Sequence, residues 1–154
     1  MTTTTKINLA DRSRCPRCIA YREVDACKTE AICKLDGIGY YNATRAEALV
    51  NRRRRKPETL TAKEMRHFIS EASVFAPHCL HVNTRKFCII GTYLQPATDV
   101  GAADEETHFM LDGCHRAYMR SSVGKSTKVY ILTLEETKSV YLGKRAPKGK
   151  RWVQ

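Results

Sequence analysis

The chain predicts an α+β fold, a mixed sheet with helices, preceded by a small Cys-rich segment. Three observations carry that expectation. Runs rich in Ile, Val, Tyr and Phe, at Phe87–Leu94, His108–Leu111 and Val129–Leu132, read as short strands. Thr44/Glu47 and Thr61/Glu64 have the Thr-x-x-Glu spacing of capping boxes, so helices are expected to begin behind them. Cys15, Cys18, Cys27 and Cys33 crowd the first 33 residues, ahead of any extended apolar pattern.

Taken in order, residues 1–14 read as a polar arm. Cys15-Pro16-Arg17-Cys18 sets two thiols two residues apart on a turn stiffened by proline, a spacing that lets both reach one metal ion. Cys27 and Cys33 complete a tetrahedral four-sulfur set, and structural Zn2+ is the expected occupant, with an iron–sulfur cluster as the other thiolate option. Packing as small apolar groups is the plain alternative. A redox reading of the Cys-x-x-Cys pair ranks low because no thioredoxin-like strand precedes it.

Residues 34–43 read as a turn and a short strand through Tyr40 and Tyr41. A helix is expected from about Arg45 into Arg52-Arg53-Arg54-Arg55-Lys56, where Pro57 stops it. Five consecutive cations suit a phosphate backbone, so Arg52, Arg53, Arg54, Arg55 and Lys56 are candidate nucleic-acid contacts; a solvated helix end is the alternative. Behind Thr61, the residues Met65, Phe68, Ile69 and Ala72 form an apolar stripe at helical spacing. Strands are expected at Cys79–Val82 and Phe87–Leu94, the second central, with Cys79 and Cys88 as core residues. Gln95–Thr107 reads as a loop whose acids, Asp104, Glu105 and Glu106, either sit on a solvated hairpin tip or help hold Mg2+.

His108-Phe109-Met110-Leu111-Asp112-Gly113-Cys114-His115-Arg116 carries the strongest functional signal. An apolar strand meets a glycine that turns the backbone sharply, and a helix begins behind it. The amides of residues 114–116 then stand at a helix N-terminus, where the macrodipole favours an anion, and His115 and Arg116 add donors at the same place. Farther on, Gly124-Lys125-Ser126-Thr127 imitates the end of a P-loop, but Met119 stands where that motif needs its first glycine. Lys128–Leu134 reads as a strand, Glu135–Leu142 as a helix, and Lys144–Gln154 as a basic tail in which Trp152 could stack on a base.

Gly113-Cys114-His115-Arg116 resembles the Gly-Cys-His-Arg signature of sulfiredoxins. Asp112-Gly113-x-His115-Arg116 is similar to the Asp-Gly-His-His-Arg variant of ParB-like nucleases and free-serine kinases. Val140-Tyr141-Leu142-Gly143 and Leu60-Thr61-Ala62-Lys63 extend the resemblance to the ParB/sulfiredoxin superfamily over residues 57–143. The resemblance implies a ParB/sulfiredoxin-like domain there, behind a Cys-rich basic segment at 1–56 and ahead of a tail at 144–154. It further implies ATP with Mg2+ as cofactor. Lys63, Gly113, Cys114, His115 and Arg116 become the phosphate ligands, and Asp112, Cys114 and His115 the catalytic candidates. Asp112 stands where sulfiredoxins have glycine, which points to the ParB-like and kinase branch, and Arg66 departs from a small hydroxyl residue. Phosphotransfer or phosphodiester chemistry is the expected activity. A non-catalytic nucleic-acid-binding module and a cysteine sulfinic acid reductase are the alternatives.

Charge points the same way. Twenty-seven Lys and Arg against 16 Asp and Glu leave a net charge of +11, which favours anionic partners: a nucleotide, DNA or RNA, or an acidic protein. No run approaches the roughly 20 apolar residues of a membrane span. Met1-Thr2-Thr3-Thr4-Thr5-Lys6 carries no signal-peptide core, so a cytoplasmic location with seven reduced cysteines is expected.

Overall fold

The computed structural model describes residues 31–69, 74, 79, 81–147 and 151–152. Its architecture is mixed α+β, with four helices and two four-stranded sheets among those residues. The elements are β1 (Ala31–Leu35), β2 (Gly39–Asn42), α1 (Ala43–Arg53), β3 (Glu58–Leu60), α2 (Ala62–Arg66), β4 (Cys88–Gln95), β5 (Glu105–Asp112), α3 (Cys114–Ser122), β6 (Thr127–Ile131), α4 (Leu134–Ser139), β7 (Tyr141–Gly143) and β8 (Arg151–Trp152). The polar arm and Cys15, Cys18 and Cys27 lie outside the described residues, as do Ala72 and Phe75-Ala76-Pro77.

One sheet has the order β7-β2-β1-β8 and the other β3-β6-β4-β5. The second organises the molecule. β4 and β5 form an antiparallel hairpin, α3 crosses over, and β6 returns parallel to β4. Side chains alternate between its faces. Ile89, Phe109, Leu111 and Leu132 enter a core shared with Ala31, Cys33, Tyr41, Ala46 and Val50. Cys88, Ile90 and Val129 enter a second core with Met65 of α2 and Ala117 of α3. Ile89, Ile90, Leu111 and Leu132 are all at most 1% exposed, and each such burial contributes about 1.5–3 kcal/mol. Gly91 stands opposite Phe109 because a Cβ there would lie 2.5 Å from that ring. The expected boundary at residues 56/57 runs through the first core, since α1 and β1 pack there against β4 and β5.

Local capping sets where the helices start. α2 begins with the predicted box: Glu64 N donates to Thr61 Oγ1 at 3.3 Å and Thr61 N to Glu64 Oε2 at 2.7 Å. The Thr44/Glu47 box does not form. Asn42 lies two residues earlier and caps α1 instead, accepting from Arg45 N at 2.9 Å. Thr44 Oγ1 accepts from Ala31 N, and Glu47 is held by Lys86 Nζ at 2.8 Å. α1 also ends sooner than expected, at Arg53, because Arg54 takes a left-handed conformation (φ 48°). Arg55 and Lys56 therefore lie beyond the helix.

Two further expectations change. Cys79 is helical, and His81 and Val82 lie in a turn and a bend, so no strand covers the described part of 79–82. α4 stops at Ser139, and residues 141–143 pair with β2. In the tail, Arg151 and Trp152 run parallel to Ala31 and Ile32. No helix among the described residues is long and apolar enough to cross a membrane.

Candidate phosphate-binding turn

β5 delivers the chain to Asp112, and Gly113 turns it into α3. The glycine has φ 99° and ψ 20°, a conformation that disfavours a side chain. A Cβ there would also meet Cys88 Sγ at 2.7 Å and Arg116 Nη2 at 3.0 Å. A register shift between Ile89 and Ile90 leaves a bulge on β5 just before the turn; bulges of this kind re-aim the residues that follow. α1, α2 and α4 each have a side-chain cap, from Asn42, Thr61 and Thr133. Among the four described helices, α3 alone begins on a glycine with no side-chain cap.

Arg116 sits one turn into α3 and folds back over the glycine. Its Nη2 donates to Asp112 Oδ2 at 3.2 Å and to the Phe87 carbonyl at 3.1 Å. Both partners of the ion pair are largely buried, 13% and 14% exposed. Arg116 Nε is buried as well and has no partner among the described residues. A buried guanidinium N–H left unpaired costs free energy that an added acceptor would recover. Cys88 Sγ packs under the turn and donates to the Gly113 carbonyl at 3.3 Å. Burial pushes the Cys88 thiol up to about 11, with Asp112 and Cys114 adding to the rise against the pull of Arg116. It therefore stays a neutral thiol at physiological pH.

The turn thus brings together Asp112, Gly113, Cys114, His115 and Arg116. Cys114 and His115 are 7% and 6% exposed, so their side chains face inward rather than into solvent. Lys63 is exposed on α2, which packs beside α3. Arg66, where the family resemblance breaks, holds the two helices together. Its Nη2 donates to the Ser121 carbonyl at 3.2 Å, near the C-terminal end of α3 where the dipole favours a cation. Gly124–Ser126 follows the helix α3, whereas a P-loop follows a strand.

The other candidates separate. Asp104, Glu105 and Glu106 lie at the far end of β5, roughly 25 Å from Gly113 at strand rise. That excludes them as Mg2+ ligands beside the turn. Asp104 Oδ1 instead accepts from Ala97 N and closes the hairpin loop. Cys33 is 2% exposed in β1, and its thiol lies 3.6 Å from the Met110 carbonyl as a donor. No group of metal-binding side chains occurs among the described residues.

Sequence reasoning overlooked Glu136. This carboxylate is 4% exposed and receives Arg53 Nη1 at 2.6 Å together with Arg55 Nη2. Its other oxygen accepts from Thr133 N at 2.9 Å in a capping box. Burial disfavours its charge, but the Arg55 hydrogen bond, the Thr133 amide and the charges of both arginines outweigh that, and the carboxyl lies below its ordinary value. Arg53 and Arg55 thereby brace the cation run, while Arg52, Arg54 and Lys56 remain exposed. The Thr133-x-x-Glu136 spacing was the available signal. No family model, curated protein or solved structure matches this chain.

Proposed function

We propose that the chain is a nucleotide-binding protein of ParB/sulfiredoxin type whose Asp112–Arg116 turn takes the phosphates of ATP with Mg2+. The observation that carries this reading is the combination at one place of a left-handed glycine, a helix N-terminus without a side-chain cap, and a buried guanidinium N–H without a partner among the described residues. Backbone amides and Arg116 supply positive potential where a phosphate is desolvated. The incoming anion competes with Asp112 for Arg116. The released carboxylate then faces the ligand, as a base or a Mg2+ ligand in phosphotransfer or phosphodiester chemistry. Cys114 as a nucleophile fits less well, because a 7%-exposed thiol is poorly reached by a bulky substrate.

Titration calorimetry of the full chain with ATP and Mg2+ tests this. Saturable binding, abolished by Arg116→Ala, supports it; no binding by the folded protein overturns it. Release of ADP or a phosphorylated product, lost in Asp112→Asn with binding retained, separates an enzyme from a binding module.

A second reading has its own support. Arg52, Arg54 and Lys56 are exposed beside two braced arginines, an arrangement suited to a nucleic-acid backbone. Binding to DNA or RNA that falls steeply with salt, weakened by charge removal at these three positions, supports that module. Zinc at Cys15, Cys18, Cys27 and Cys33 belongs to the same proposal and requires Cys33 to give up its place beside Met110. Metal analysis of the purified chain decides it.

A further inference from the structure

A cavity of about 470 Å3 opens between β2 and β7 on one side and β4 and α4 on the other. It shares no lining residue with the Asp112–Arg116 turn. Its size lies within the roughly 300–1,000 Å3 of small-molecule sites. Three tyrosine rings line it, Tyr41, Tyr93 and Tyr141, together with Leu134. Three of its hydroxyls already donate to backbone carbonyls. Thr92 Oγ1 donates to the Leu132 carbonyl at 2.7 Å, and Thr137 Oγ1 donates to the Thr133 carbonyl at 2.9 Å. Tyr141 OH donates to the Ile38 carbonyl at 2.8 Å. Such a lining offers an occupant apolar contact and ring faces.

Charge sets the rest of the ligand. Among the described residues, the ionic side chains lining the cavity are Lys138 and Lys144, and no carboxylate lines it. Lys138 has a neighbour in Glu135, but at 4.0 Å and with both side chains well exposed, which leaves the ammonium available. We infer that this cavity binds a small aromatic carboxylic acid, its ring among the tyrosines and Leu134 and its carboxylate at Lys138 and Lys144. The inference is independent of the nucleotide reading.

Fluorescence titration of the full chain with 8-anilinonaphthalene-1-sulfonate, an anionic aromatic probe, tests it. The uncharged N-phenyl-1-naphthylamine serves as comparator, and indole-3-acetate as competitor. The expected result is one saturable site from which indole-3-acetate displaces the anionic probe. Replacing both exposed lysines, Lys138→Gln with Lys144→Gln, should weaken the anionic probe about tenfold and leave the neutral one unchanged. Filling the cavity with Leu134→Trp should weaken both, with the far-ultraviolet spectrum retained. Absence of saturable binding overturns the inference. So do equal losses for both probes in the lysine variant, or displacement by ATP but not by indole-3-acetate.

Discussion

Two arginine–carboxylate arrangements in this molecule look alike and behave differently. At Glu136, two guanidinium groups and one backbone amide converge on one buried carboxylate, and its hydrogen-bonding capacity is largely used. At Arg116, one guanidinium divides a single nitrogen between Asp112 and a carbonyl, and its buried Nε is left over among the described residues. The first ties the end of α1 to the start of α4 and belongs to the fold. The second retains a buried donor at a glycine turn, where one more acceptor lowers the free energy. Saturation marks a brace; an unspent donor at an uncapped helix start marks a place for a ligand.

The largest effect that sharpens this contrast is Glu136→Ala. Two arginines lose their acceptor and α4 loses its box, so the chain should be destabilised by about 3–5 kcal/mol in urea unfolding. ATP binding by the folded fraction should be unchanged. Gly113→Ala comes next. A left-handed alanine whose Cβ meets Cys88 Sγ at 2.7 Å should cost about 2–4 kcal/mol, and here ATP binding should be lost as well. Equal effects of the two variants on binding would erase the distinction between brace and site.

Acid sharpens it further. The folded-state value of Glu136 is depressed below its ordinary 4.5. Its contribution is therefore complete above the unfolded-state value and is lost as pH falls through the depressed one. The stability gap between wild type and Glu136→Gln should hold at pH 6–7 and narrow below about pH 4.5. A gap independent of pH would mean that the carboxylate charge is not what holds Arg53 and Arg55. The smallest expected effect is Arg116→Lys. It keeps the charge but lacks Nε and the fork, so stability should fall by about 1 kcal/mol while ATP affinity falls about tenfold.

The sequence announced the turn because its signals are local: an apolar strand, a glycine and a helical pattern occupy nine consecutive residues. The Thr61/Glu64 box was legible for the same reason. Thr44/Glu47 had the same spacing and failed because Asn42, one step upstream of the helix, captured the first-turn amide and Ala31 claimed the Thr44 hydroxyl. The Glu136 brace joins residues 81 and 83 positions apart, and no periodicity announces such a pair. The strand at Tyr141–Gly143 was equally hidden. Three residues following a helical stretch read as its continuation, and only pairing with β2 makes them a strand. Nor could the sequence show that Arg116 is already engaged by Asp112 and Phe87, since the Phe87 carbonyl reaches it across the sheet.

The central claim is that the backbone from Gly113 to Arg116 receives phosphate oxygens. Amide proton–nitrogen NMR spectra of the full chain, recorded during addition of ATP and Mg2+, test it most directly. The account predicts that the largest shifts fall on residues 113–117, accompanied by a shift of the Arg116 Nε–H resonance. Saturating ATP that leaves those signals in place, or moves only signals elsewhere, would contradict it.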